Sequence, residues 1–173
     1  DIYYAASAQT VAKAADVLGL EETRQEYQEI ADRQWQVVKE EYFTATGRCA
    51  VKTQTGLILA LKYHLSENEE LTKQMLQKLL RDNKNKLNTG FVGTPLLCNV
   101  LTDHGMTDAA YRLLLNKEYP GWLHEVKLGA TTVWERWNSL DENGHVSSTG
   151  MNSLNHYSYG CLLYTSPSPR DIS

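Results

Sequence analysis

The chain is poor in the features that define several specialised classes of protein. Its 173 residues include only three cysteines and four prolines. No apolar run approaches the roughly 20 residues that a membrane-spanning helix needs, so a membrane partner is not expected. The net charge of −4 argues against a nucleic-acid partner, which would require a basic face.

The cysteines do not indicate a metal site or a disulfide framework. Cys49 and Cys98 lie in no Cys-x-x-Cys or Cys/His pattern, and we expect both to be small core residues. The third, Cys161, opens a segment that matches one reading-frame translation of a transposase sequencing adaptor. We therefore expect residues 161–173 to be non-native, the alternative being a natural Ser/Pro-rich tail.

Most of the remaining sequence has helical spacing of its apolar residues. This spacing predicts helices over residues 3–18, 21–43, 53–65, 66–80, 95–101 and 107–115, with Ser66 and Glu69 forming a capping box. Short turns between successive helices favour antiparallel helical hairpins, and hence an all-α toroid rather than a coiled coil.

The helical pattern stops after Tyr119-Pro120-Gly121. We expect short strands near residues 122–126 and 145–147, joined by a turn at Asp141-Glu142-Asn143-Gly144. A further helix is expected over residues 150–160.

Two motifs near the C-terminal end carry the chemistry. Residues 129–137 read Gly-Ala-Thr-Thr-Val-Trp-Glu-Arg-Trp, and residues 151–157 read Met-Asn-Ser-Leu-Asn-His-Tyr. Indole rings stack on sugar faces, and a carboxylate between them can act as a general base on water. The alternative is that Glu135 and Arg136 form ion pairs elsewhere, that the tryptophans are core residues, and that His156 only packs.

Two other motifs do not support a function. Residues 90–94 lack the Gly-Lys-Ser/Thr ending of a phosphate loop, so we expect a turn that lets the backbone approach the site or a neighbouring helix. His124-Glu125 lacks a second histidine four residues on and is not a zinc-protease motif.

Residues 89–95, which read Thr-Gly-Phe-Val-Gly-Thr-Pro, and the two C-terminal motifs occur in an order that resembles the bacterial α-L-rhamnosidases of glycoside hydrolase family 78. The resemblance covers residues 1–160, with Gly121 where serine is usual and Leu154 where phenylalanine is common. It implies an (α/α)6 barrel of six helical hairpins, of which residues 1–160 would be the C-terminal part. The chain has no initiator methionine and opens within a predicted helix, so we expect it to be incomplete at both ends.

The same resemblance implies roles for individual residues. Family enzymes hydrolyse terminal rhamnosides with inversion, using a carboxylic acid and a carboxylate base. Glu135 matches the base and His156 a histidine that hydrogen-bonds rhamnose, while Trp134, Trp137 and Asn155 are near-site candidates for substrate binding. The implied partner is a rhamnose-containing small molecule or polysaccharide, and no metal or organic cofactor is implied.

One departure from the family pattern affects the isolated chain. The family's acid motif, rich in Asp, Glu and Arg, has no counterpart in residues 1–160. We therefore expect the chain alone to be inactive, and marginally stable because it lacks neighbouring hairpins. Two alternatives stay open: a non-catalytic helical toroid that binds a carbohydrate or a protein, and a related inverting hydrolase with another sugar specificity.

Overall fold

The computed structural model describes residues 1–141, 143–146, 150, 152–156 and 159. The chain divides into two compact units. Unit 1 contains residues 1–51 and 59–72, and unit 2 contains residues 52–58 and the chain from residue 73 onward. Across the described residues, none of the helices combines the length and the apolar character that crossing a bilayer demands.

The described part of the chain is all-α, as expected. It contains seven helices and no strand: α1 Ile2–Val17, α2 Glu21–Tyr42, α3 Gln54–Lys62, α4 Glu69–Asp82, α5 Thr94–Asp103, α6 Thr107–Leu114 and α7 Trp122–Lys127. The first six confirm the helices predicted from apolar spacing. Isolated antiparallel bridges join Phe43 to Cys49 and Leu140 to Val146.

Helices α1 and α2 form an antiparallel hairpin in unit 1. The buried face of α1 is a stripe of small side chains at helical spacing, namely Ala5, Ala8, Ala12 and Ala15. Small residues let α2 approach closely, and Gly19 makes the turn at φ +70°. The Tyr42 hydroxyl at the end of α2 donates a hydrogen bond to Asp1 at 3.2 Å, so opposite ends of the two helices meet.

The predicted capping box at Ser66 is wrong. Helix α4 begins at Glu69, and Asn68 caps it, because the Leu71 N–H donates to Asn68 Oδ1 at 3.0 Å. The hydroxyl of Ser66 is buried and donates instead to the Gly47 carbonyl at 2.6 Å. The same oxygen accepts the Asn68 N–H at 3.0 Å, so Ser66 connects the loop after α2 to the residue that caps α4.

The loop over residues 86–94 is fixed to the first turn of α3 within unit 2. Gln54 is 1% exposed, and its amide donates to the Lys86 carbonyl at 2.9 Å and accepts from the Asn88 N–H at 2.8 Å. A Cβ atom at Gly93 would lie 2.5 Å from Thr55 Oγ1. This close approach to α3 agrees with the role expected for the glycine-rich turn.

The region after residue 121 differs from its prediction. Residues 122–127 form helix α7 rather than a strand, ended by Gly129 at φ +88°. The expected turn is present, because Asp141 Oδ1 accepts from the N–H groups of Asn143 and His145. Residues 152–156 are irregular, so the predicted helix does not include them. Ser147, the tail 161–173 and the rest of that helix, apart from Gly150 and Tyr159, lie outside the described residues.

We expect Gln54→Leu to destabilise the chain by about 1–3 kcal/mol, because it leaves the Lys86 carbonyl and the Asn88 N–H without their partner. Urea denaturation of the two forms measures the loss. The matched control is Gln25→Leu on the exposed surface of α2, which should change the free energy of unfolding by less than about 0.5 kcal/mol. Equal effects of both substitutions would contradict the anchoring role of Gln54.

Candidate active site

The end of α7 directs the chain into the Gly-Ala-Thr-Thr-Val-Trp-Glu-Arg-Trp motif. The Glu125 carbonyl accepts hydrogen bonds from the Leu128 and Ala130 N–H groups, both at 3.0 Å. Gly129 between them takes the left-handed conformation that this tight helix end requires. The segment from Ala130 onward therefore starts from a fixed point.

Two backbone hydrogen bonds join the two C-terminal motifs. The Glu135 N–H donates to the Ser153 carbonyl at 2.9 Å, and the His156 N–H donates to the Val133 carbonyl at 2.8 Å. The structure thus brings Glu135 and His156, which are far apart in the sequence, to adjoining positions on one pair of segments.

The carboxylate of Glu135 is held by one of its oxygens. Oε2 accepts the Ser153 N–H at 2.7 Å, whereas Oε1 has no hydrogen-bond partner among the described residues. The side chain is half-buried. A carboxylate fixed in this way has a set orientation and one oxygen that can accept a proton from water.

Ser139 and Asn152 brace the same pair of segments. Ser139 is fully buried, and its hydroxyl accepts the Arg136 N–H at 3.2 Å. The Asn152 amide donates to the Ser139 carbonyl at 2.9 Å. The turn that follows Glu135 is consequently attached to the segment that carries His156.

Trp137 is the centre of an aromatic cluster made by Trp122, Trp137, Tyr159 and His156. Its ring meets Trp122 edge-on at 5.6 Å and Tyr159 at 5.4 Å between centroids, and Tyr159 lies 5.9 Å from His156. Its indole N–H donates to the Thr89 carbonyl at 2.9 Å, which attaches the cluster to the glycine-rich loop. The half-buried Trp137 has indole surface available to a ligand.

The other candidates occupy different environments. Trp134 is only 3% exposed, so its indole belongs to the interior, and the expectation that it contacts substrate does not fit its burial. Asn155 is exposed in a turn where its N–H donates to Ser153 Oγ at 3.1 Å. Its side chain is exposed, and its near-site role stays a prediction.

His156 has a buried polar ring atom that pairs with no described residue. Its Nδ1 is buried and makes no hydrogen bond within the described residues, and the same holds for Asn152 Oδ1. Buried polar atoms are normally paired, since an unpaired one costs free energy. Both residues are half-buried, so each side chain keeps some surface that a polar ligand can reach on the segment joined to Glu135.

Glu125 is a residue that sequence reasoning missed. It is 3% exposed, and its Oε2 accepts the Trp134 N–H at 3.4 Å. Burial raises the pKa of its carboxyl to about 7, although the hydrogen bond from Trp134 opposes the shift. Burial also raises the pKa of the Tyr159 phenol, with the nearby charges of Glu125 and Glu135 adding to the effect. The helical spacing of Trp122 and Glu125 was the available signal.

Comparison with known proteins identifies the family to which the chain is similar. The sequence profile of the bacterial alpha-L-rhamnosidase 6 hairpin glycosidase domain matches residues 1–164. An alpha-L-rhamnosidase of Formosa agariphila is 40% identical over 163 residues, which cover 92% of this chain and 18% of that protein.

Two crystal structures are also similar. The native alpha-L-rhamnosidase from Aspergillus terreus has a TM-score of 0.87 at 34% identity, over 93% of this chain and 19% of its own. The Streptomyces avermitilis alpha-L-rhamnosidase complexed with L-rhamnose has a TM-score of 0.84 at 36% identity. This similarity covers 92% of this chain and 16% of that one. The chain thus spans less than a fifth of the length of these relatives. It belongs to the family of the bacterial α-L-rhamnosidase six-hairpin glycosidase domain.

The raised pKa of Glu125 predicts a pH-dependent stability. Between the unfolded value of 4.5 and the folded value of about 7, the folded state binds more protons, so stability decreases as pH rises through this range. Glu125→Gln removes the titration. As pH rises from 4.5 to 8, we expect the free energy of unfolding of the substituted chain to increase by about 2–4 kcal/mol relative to that of the original chain.

Denaturant unfolding at pH 4.5 and pH 8 measures this gain. Glu29→Gln on α2 is the control, because Glu29 is exposed and the same exchange should be neutral there. A Glu125→Gln effect that is the same at both pH values would show that the carboxyl does not titrate between them.

Proposed function

We propose that the protein to which this chain belongs is an inverting glycoside hydrolase that releases terminal α-L-rhamnose. The observation that carries the proposal is the Glu135 carboxylate, whose Oε2 accepts the Ser153 N–H and whose Oε1 has no hydrogen-bond partner among the described residues. Membership of the rhamnosidase family and the rhamnose complex of the Streptomyces avermitilis relative support the choice of sugar. The substrate would be a rhamnose-containing glycoside or polysaccharide.

In the proposed reaction, Glu135 accepts a proton from water as the water oxygen bonds to the anomeric carbon. The bond from that carbon to the leaving oxygen breaks, and a carboxylic acid on the opposite face protonates the leaving oxygen. Inverting enzymes hold their two carboxyl groups roughly 6.5–9.5 Å apart. Residues 1–160 supply the base, and the acid would come from another part of the protein. The reaction requires no metal or organic cofactor.

The neighbouring residues would bind the sugar. His156 would hydrogen-bond a rhamnose hydroxyl, and Trp137 would offer its exposed indole surface to the apolar face of the ring. Asn155 would reach the sugar from its exposed turn. Trp134, whose side chain is buried, would act from the interior rather than by contact with substrate.

Residues 1–160 would form the C-terminal part of a six-hairpin catalytic domain, and residues 161–173 would be non-native. The similarity of residues 1–164 to the family supports the first assignment. The exposed side chains of Tyr4, Val17 and Leu18 on and just after α1 fit a surface that other hairpins cover in the whole domain. They also support the expectation that the isolated chain is marginally stable.

We expect Glu135→Gln in the whole protein to lower kcat on an aryl α-L-rhamnoside by about 10²- to 10⁴-fold, because the amide cannot accept the proton from water. The matched control is Glu29→Gln, an identical exchange on the exposed surface of α2. Proton NMR of the first product anomer tests the stereochemistry. Normal turnover of the Glu135→Gln enzyme would refute the assignment of Glu135 as the base. A first product with the anomeric configuration of the substrate would refute inversion.

Rates of hydrolysis on different aryl glycosides, together with rhamnose binding, distinguish the rhamnosidase from the two alternative functions. Faster hydrolysis of another aryl glycoside than of the rhamnoside would indicate the related hydrolase. Rhamnose binding without hydrolysis by the unmodified protein would indicate the non-catalytic toroid.

The 173-residue chain alone should not hydrolyse aryl α-L-rhamnosides, because one positioned carboxylate cannot both activate water and protonate the leaving group on the opposite face. Release of the aryl group by purified chain, compared with the same chain carrying Glu135→Gln, measures the residual activity. Hydrolysis that depends on Glu135 would show that the chain contains its own acid.

A further inference from the structure

Glu125 lies directly behind the segment that presents Glu135. It occupies the last part of the short helix α7, with 3% of its surface exposed. Its Oε1 is buried and has no hydrogen-bond partner among the described residues, and the indole nitrogen of Trp122 one turn earlier is in the same state. A buried carboxyl group without a cationic partner destabilises a fold, so its presence calls for another explanation than stability.

Glu125 holds the segment from residue 130 to residue 134 at both ends. Its main-chain carbonyl accepts the Ala130 N–H at 3.0 Å, and its side-chain Oε2 accepts the Trp134 N–H at 3.4 Å. One residue thereby fixes where the segment leaves α7 and where it delivers the residue after Trp134. That next residue is Glu135, whose own carboxylate is fixed on the opposite side by Ser153.

We propose that Glu125 is a positioning residue for the general base: its buried side-chain oxygen holds the Trp134 peptide, and so sets the place and direction of the Glu135 carboxylate. The inference rests on the proposed role of Glu135. A displacement of about 1 Å at a reacting group can lower a rate by roughly 100-fold, so the loss of this acceptor should affect turnover without any loss of contact with the sugar.

A second role for Glu125 competes with this one. A carboxyl group whose pKa lies near 7 has the titration expected of a catalytic acid. The geometry argues against that role, because Oε1 is buried and the residue has almost no surface from which to reach a leaving oxygen. The two roles predict different responses to an amide: glutamine keeps an acceptor oxygen for Trp134, but it cannot donate an acidic proton.

The experiment compares four substitutions in the whole protein: Glu125→Gln, Glu125→Met, Glu125→Ala and Glu135→Gln. Each is assayed on an aryl rhamnoside with a good leaving group and on an alkyl rhamnoside with a poor one. We expect Met and Ala, which remove the acceptor, to lower kcat about 10- to 100-fold on both substrates with little change in KM. Glutamine should retain kcat within about threefold.

Two results would overturn the positioning role. If Glu125→Met and Glu125→Ala lower only the melting temperature and keep kcat, Glu125 is structural. If glutamine is as damaging as methionine, and the loss is far greater for the alkyl rhamnoside, Glu125 acts as an acid. Should methionine prevent folding, alanine and glutamine still give the comparison.

The control with Glu135→Gln separates this inference from the proposed function. If that enzyme turns over normally, the base assignment fails, whatever the Glu125 variants show. If it is inactive while Glu125→Met keeps its kcat, only the positioning role fails.

Discussion

The reciprocal hydrogen bonding between Glu135 and Ser153 is the interaction on which the site depends. The N–H of Glu135 donates to the carbonyl of Ser153, and the N–H of Ser153 donates to the carboxylate of Glu135. A carboxylate that accepts a main-chain N–H at 2.7 Å forms a charge-assisted bond, stronger than a neutral one. This pair aligns the two C-terminal motifs, and it orients the only group in the site that is proposed to move a proton.

Around this pair, the site is supported by elements that precede it in the sequence. Gln54 and Thr55 at the start of α3 fix the loop over residues 86–94, and the Thr89 carbonyl in that loop holds the indole of Trp137. On the other side, Glu125 holds the chain that leads to Glu135. Irregular segments can keep a precise geometry here because the loop over residues 86–94 is attached to α3 and the segment before Glu135 is attached to α7.

The sequence predicts most of the helices but less of the site. Helices α1 to α6 have regular apolar spacing, which is a local property. Helix α7 has only six residues and buries Glu125 where the pattern requires an apolar side chain, so it resembles a strand instead. The cap at Asn68 rather than Ser66 depends on a bond to Gly47, and the burial of Trp134 depends on packing between distant segments. Such long-range contacts are absent from any local pattern.

The contact between Ser153 and Glu135 limits what a substitution of Ser153 can change in the site. The group that orients the carboxylate is a peptide N–H, and every amino acid except proline carries one. Mutation can therefore replace the serine side chain without removing the donor. Such a change would remove only the hydrogen bonds between the hydroxyl and the main chain of Asn155, so the orientation of Glu135 depends on the backbone of this position and not on its side chain.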